Sequence, residues 1–184
     1  MSEGIGRRGF LGLAAGGLAA LVEGCQVAAQ RPLQQANALI DQKEYRKAIT
    51  LLDKTITESP SAEAYNLRGI AYLRRGYDDK AIDAFGEAIK RDSCSATAFM
   101  NKGYAYCKKA LRHRALGEGS IAEAFLEQAL QDMKFAVRYA PKDAQARAYL
   151  GMIHGLRFDG QNEFDELDNA IKLLQESLPA VSER

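Results

Sequence analysis

From Arg31 onward, apolar and small residues recur at steps of three and four, the spacing that gathers them on one face of a helix. The clearest stretch is Ala62 to Ser93, AEAYNLRGIAYLRRGYDDKAIDAFGEAIKRDS. Tyr65, Gly69 and Tyr72 fall on one stripe, and Ala81, Phe85 and Ala88 on a second, with a break at Gly76-Tyr77. Two amphipathic helices joined by a tight turn are expected. Gly69 and Ala81 are both small, which predicts that the antiparallel helices touch at this pair. Tyr65, Tyr72 and Phe85 would fill the space around it.

The same pattern returns along the chain, as in repeat architectures. Upstream, Ala36 takes the place of Gly69, Ala48 that of Ala81, and Leu52 that of Phe85, with Pro60 closing the unit. Downstream, Phe99, Gly103 and Tyr106 open a third unit that Ala129, Met133, Ala136 and Pro141 close. A fourth carries Leu150-Gly151 and His154, then Leu167, Ile171, Leu174 and Pro179. One hairpin cannot bury its apolar face alone, so the units are expected to stack. The reading is an all-α solenoid of about four antiparallel helix pairs over 31–179, with units at 31–61, 62–95, 96–143 and 144–179 and a tail at 180–184.

The third unit breaks the spacing. Gly103 and Ala129 are 26 positions apart where Gly69 and Ala81 are 12 apart, an insertion of 14. Both helices are predicted to run about two turns longer, roughly 10 Å each, around Gly117-Glu118-Gly119. Ser120 and Glu123 stand at capping-box spacing, which predicts that they close the start of the second long helix. The result would be a protruding helical hairpin.

Ahead of this domain, Gly9 to Val22 is an uncharged run of 14 residues preceded by Arg7 and Arg8. As a helix it would reach about 21 Å, short of the roughly 30 Å hydrocarbon core, and its glycines weaken it further. A basic end, a short apolar run and small residues have the layout of an export signal over 1–24, followed by a linker at 25–30. Arg7-Arg8-Gly9-Phe10-Leu11 resembles the core of a twin-arginine signal, which implies export of the folded protein and recognition through Arg7, Arg8, Phe10 and Leu11. Val22-Glu23-Gly24-Cys25 resembles a lipobox, which implies lipidation of Cys25. Glu23 stands where that motif has a small uncharged residue, and Val27-Ala28-Ala29 offers a rival cut releasing a soluble periplasmic protein. An uncleaved anchor is a third reading. Gln26 after the cysteine implies sorting to the outer membrane in a Gram-negative envelope.

Composition narrows the chemistry. With 25 Lys and Arg against 24 Asp and Glu, the net charge of +1 gives no reason to expect nucleic acid as a partner. Three cysteines do not make a disulfide framework. His113 and His154 lack metal-site spacing, and no nucleophile elbow or phosphate loop is present. The expectation is no catalytic residue, no metal and no cofactor. Lys108, Lys109, Arg112, His113 and Arg114 form a basic run on the extended helix. It reads either as a solvated face or, through Lys109, Arg112 and Arg114, as a second contact with anionic headgroups or an acidic partner. Asp159, Glu163, Asp165, Glu166 and Asp168 give the last unit an acidic run with the same two readings.

The order aromatic, Leu-Gly, Tyr, then Ala, aromatic, Ala, Pro resembles the tetratricopeptide repeat. The resemblance implies a groove lined by the first helix of each pair, with contacts one and five residues after the opening aromatic. By position these are Asn66 and Ile70, Met100 and Tyr104, Ala148 and Met152. Leu73, Arg74, Cys107 and Lys108 follow from the next turn. Their Met, Tyr and Ile content suggests an apolar, adaptable peptide site. The implied function is a non-enzymatic adaptor of the cell envelope that binds a protein partner and is held at the membrane by a lipid anchor. Assembly factors, pilotin-like or for a redox complex, share the build. A transport accessory or enzyme with a small-ligand groove is the competing class.

Overall fold

The computed structural model describes residues 30–157. Within them are seven α-helices and no strand: α1 (30–41), α2 (Tyr45–Glu58), α3 (Ala62–Arg74), α4 (Asp78–Arg91), α5 (Ala96–Ala115), α6 (Gly119–Tyr139) and α7 (Ala144–Arg157). They form three antiparallel pairs and the first helix of a fourth, an all-α helical repeat. The proposed signal with Arg7, Arg8, Phe10 and Leu11, the cysteine Cys25 and the expected second helix of the fourth unit lie outside the described residues.

Local sequence sets where the helices start. The Ser61 hydroxyl accepts from the Ala64 amide at 3.2 Å, and Ser95 accepts from Ala98 at 3.4 Å. The Asp143 carboxylate takes the amides of Gln145 and Ala146 at the head of α7. Each satisfies an amide that has no partner within the helix.

The turns inside the three hairpins share one geometry. Lys43, Gly76 and Gly117 adopt φ of +61°, +79° and +79°. The following amide of each reaches back five residues: Glu44 to the Leu39 carbonyl, Tyr77 to Tyr72 and Glu118 to His113, at 2.8 to 3.0 Å. This is the left-handed helix stop that favours glycine. The insertion in the third unit therefore leaves its turn unchanged. It lengthens α5 to 20 residues against 13 in α3, and α6 to 21 against 14 in α4. Seven residues on each side make two turns, and the tip stays in register.

The start of α6 differs from expectation. Glu118 is its N-cap and no side chain caps it. Ser120 lies inside the helix, and Glu123 instead pairs with Arg157 of α7 at 2.7 Å. The glycine turn places the N-cap at Glu118, so the capping-box spacing from Ser120 falls two residues too late.

Close approach within a hairpin relies on glycine. A Cβ on Gly69 would meet the Phe85 ring first, and one on Gly103 would meet the Ala129 carbonyl and the Met133 methyl at 3.1 Å. Apolar contact runs the length of the array through three linked clusters. One spans α1 to α3 around Leu52, one joins α3 to α5 around Phe85, and one spans α5 to α7 around Leu126 and Met133. The first helices α3, α5 and α7 also touch one another, side by side.

Candidate functional site

Those first helices enclose a hollow of about 490 Å³. From α3 come Ile70, Leu73 and Arg74; from α5, Asn101, Tyr104 and Lys108; and from α7, Gln145 and Tyr149. The lining follows a rule. Asn101 stands two residues after its unit's opening aromatic, and Tyr149 occupies the same place in the fourth unit. Ile70 and Tyr104 stand five after it, and Arg74 and Lys108 nine after it. These places share one face because two, five and nine are helical steps of three and four.

Of the ten expected groove residues, Ile70, Leu73, Arg74, Tyr104 and Lys108 line the hollow. Met100 and Cys107 do not. Both are buried in the cluster that α7 covers with Ala146, Leu150 and Ile153. Met152 is half-buried against that cluster, and Ala148 is half-buried beside it on α7. Asn66 sits at the seam between units, where its Oδ1 accepts from Asn101 Nδ2 at 3.0 Å. The place one after the aromatic therefore belongs to the joint between hairpins, because the next unit's first helix packs over it. Asn101 and Tyr149, absent from the expected set, stand one residue after expected places, whereas Gln145 lies two before the fourth unit's opening position.

The shift changes the character of the site. With the methionines turned inward, the hollow presents two cations, two amides, two phenols and two aliphatic side chains, and no carboxylate. The Tyr104 and Tyr149 rings lie 5.3 Å apart and form an aromatic ledge. Lys108 Nζ donates to the Leu73 carbonyl at 3.2 Å and lies 3.5 Å from Asp78. Arg74 is exposed and makes no side-chain bond among the described residues.

The basic run on α5 is bound within the molecule. Arg112 pairs with Asp78 at 2.7 Å, and the Asp78 side chain is only 2% exposed. Lys109 pairs with Asp79 at 2.6 Å and lies 4.2 Å from the Phe125 ring centre. Arg114 donates to the Leu156 carbonyl at 2.8 Å, and His113 meets Glu118 across the turn. The expected second contact through Lys109, Arg112 and Arg114 is thus an internal buttress. Extending α5 carries these cations past the short second unit, where the first turn of α4 offers two carboxylates. Beside exposed polar residues such as Glu118 and Ser120, the hairpin tip leaves the apolar Leu111, Leu116 and Ile121 exposed, with Leu116 at 68%.

Two buried ionisable groups lie away from the hollow. Burial raises the Asp132 carboxyl above its ordinary range, partly offset by Lys102 at 3.2 Å. Its Oδ2 has no hydrogen-bond partner among the described residues. Burial, with Lys134 and Arg157 nearby, lowers His154, which fills the place Tyr72 holds in the second unit. Among the described residues, no three His, Cys, Asp or Glu side chains gather as metal ligands, and no helix is long and apolar enough to cross a membrane.

Residues 33–96 match the family model described as tetratricopeptide repeat. No curated protein matches the chain. Among solved structures, the chain is similar to a thermophilic tetratricopeptide protein of Thermus thermophilus, at 24% identity and a TM-score of 0.67, over 82% of this chain and 73% of that one. It is similar to MamA at 19% identity and a TM-score of 0.60, over 86% and 81% of the two chains. It is also similar to the first tetratricopeptide domain of Spaghetti bound to the HSP90 peptide SRMEEVD, at 20% identity and a TM-score of 0.58, over 70% and 91%. These likenesses establish the shared helical-repeat fold, and residues 33–96 carry the tetratricopeptide repeat match.

Proposed function

We propose that this protein is a non-enzymatic adaptor that holds an extended segment of a protein partner in the hollow of α3, α5 and α7. The observation that carries the reading is the hollow itself, a 490 Å³ recess built by the first helices of three successive units. It pairs an aromatic ledge with polar groups able to bond a peptide backbone. The peptide-bound domain of the same architecture lends support, since it accommodates a short linear segment. The protein acts by holding its partner in place, and tethering raises the effective concentration of whatever that partner meets.

The sequence ahead of the repeats supports a location. Arg7-Arg8-Gly9-Phe10-Leu11 and Val22-Glu23-Gly24-Cys25 are the features behind export of the folded protein and a lipid on Cys25. That lipid would confine the adaptor to the periplasmic face of an envelope membrane.

The test compares affinity capture from solubilised envelope by the unaltered protein, a Tyr104→Ala/Tyr149→Ala variant and a Leu116→Ser hairpin-tip variant. A partner held in the hollow is lost with the tyrosine variant and kept with the tip variant. Equal recovery by all three rejects the hollow as the site. Membrane fractionation of Cys25→Ser tests the anchor, and unchanged sedimentation rejects it.

A further inference from the structure

We infer that the hollow selects an internal acidic segment of its partner, with a side-chain carboxylate between Arg74 and Lys108 and a neighbouring apolar side chain on the Tyr104–Tyr149 ledge. This deepens the reading above and rests on it.

Charge complementarity is the argument. The lining contains no carboxylate. Arg74 makes no side-chain bond among the described residues, so none of them compensates its charge. Lys108 and Arg112 share the single buried carboxylate of Asp78, at 3.5 and 2.7 Å, which leaves one positive charge in excess there. Adding Arg74, the recess and its rim carry about two positive charges unmatched among the described residues, in a chain whose total is +1. A recess with low-dielectric walls focuses such a field toward an incoming anion.

The neutral groups define what accompanies the anion. Tyr104 is 37% exposed and packs on Tyr149, so an apolar side chain has a flat aromatic surface to cover. Asn66 lies outside the lining, at the seam, where its carbonyl oxygen takes one of the Asn101 N–H donors. That leaves the two cations, which suit a side-chain carboxylate on a continuing backbone. Arg74 offers a planar fork, while Lys108 is held by the Leu73 carbonyl and already aimed.

The experiment is fluorescence anisotropy on the full chain with labelled pentapeptides blocked at both ends, a phenylalanine between two glutamates and its glutamine isostere. The glutamate peptide is expected to bind about tenfold more tightly in 50 mM salt, with the advantage shrinking as the salt approaches about 300 mM. Arg74→Ala should weaken the glutamate peptide about fivefold and leave the glutamine peptide unchanged, while Arg138→Ala, outside the hollow, alters neither. Equal affinity for both peptides, with Tyr104→Ala weakening both, overturns acidic selection but keeps the groove. Preference for a version with a free C-terminal carboxylate overturns it in favour of terminal recognition. Binding of neither peptide overturns it too, and whether the groove reading survives is then decided by the capture comparison.

Discussion

A Cβ on Gly69 would lie 2.5 Å from Cε1 of Phe85 and within 2.9 Å of two further ring atoms. Phe85 is fully buried and has nowhere to retreat. The second hairpin is therefore closed by a ring packed directly against bare backbone at Gly69.

Gly69→Ala should accordingly lower stability by about 2 kcal/mol, overpacking outweighing the gain in helix propensity. Gly86, on α4, has nothing within 4 Å of where a Cβ would sit. Gly86→Ala should therefore raise stability by about 0.5–1 kcal/mol. Urea midpoints measure both. Two changes of the same sign would mean that the ring contact is not what closes the hairpin.

Lys43 takes the left-handed conformation that glycine takes in the other two hairpin turns. Lys43→Gly should stabilise by roughly 1 kcal/mol, the cost of that conformation for a residue with a Cβ, less glycine's extra entropy in the unfolded chain. Calorimetry decides it, and a lower melting temperature would contradict the assignment of strain to this turn.

The two cysteines within the described residues should react very differently. Cys94 is exposed, whereas Cys107 is buried and its thiol is pushed up to about 11 by burial, with Arg114 pulling the other way. Only the thiolate is alkylated quickly. At about pH 8, iodoacetamide should label Cys94 within minutes and Cys107 only under denaturant, read peptide by peptide in a mass spectrometer. Rapid native labelling of both would put Cys107 back in the groove.

Asp132 gives a pH signature. Burial holds its folded-state pKa above the unfolded value, so the neutral acid is the form the fold tolerates. Its favourable contribution is present below the ordinary carboxylate range and lost as pH rises through the raised value. Asp132→Asn is neutral throughout, so its stability relative to the unaltered protein should rise from about pH 3 to about pH 7. Denaturation at both ends checks this. A difference that falls with pH would show the Lys102 pair outweighing burial.

Much of the fold was legible because it is periodic. Tyr65-Gly69-Tyr72 and Ala81-Phe85-Ala88 mark the two helices of a hairpin, and counting residues from Gly103 to Ala129 was enough to foresee seven extra residues on each helix. Ser61 and Ser95 are helix starts that local chemistry dictates. The groove was legible only in part. Met100 and Tyr104 lie four residues apart, on neighbouring turns of one helix face, yet α7 covers the first and leaves the second open. Lys109 and Arg112 read as a solvated or partner-binding run because their carboxylates lie about thirty positions away, on another hairpin.

The sequence by itself determined helices, turns and stacking, since each depends on spacing within a few residues and on the need of every hairpin to cover an apolar face. Tertiary structure decided which residues of the shared face remain open. It put α7 across Met100 and Cys107 and brought Asp78 to Lys108 and Arg112, leaving Arg74 unmatched among the described residues, beside two tyrosines. Exposure and net charge at a point depend on what neighbouring helices bring there, and no periodicity along one helix contains that.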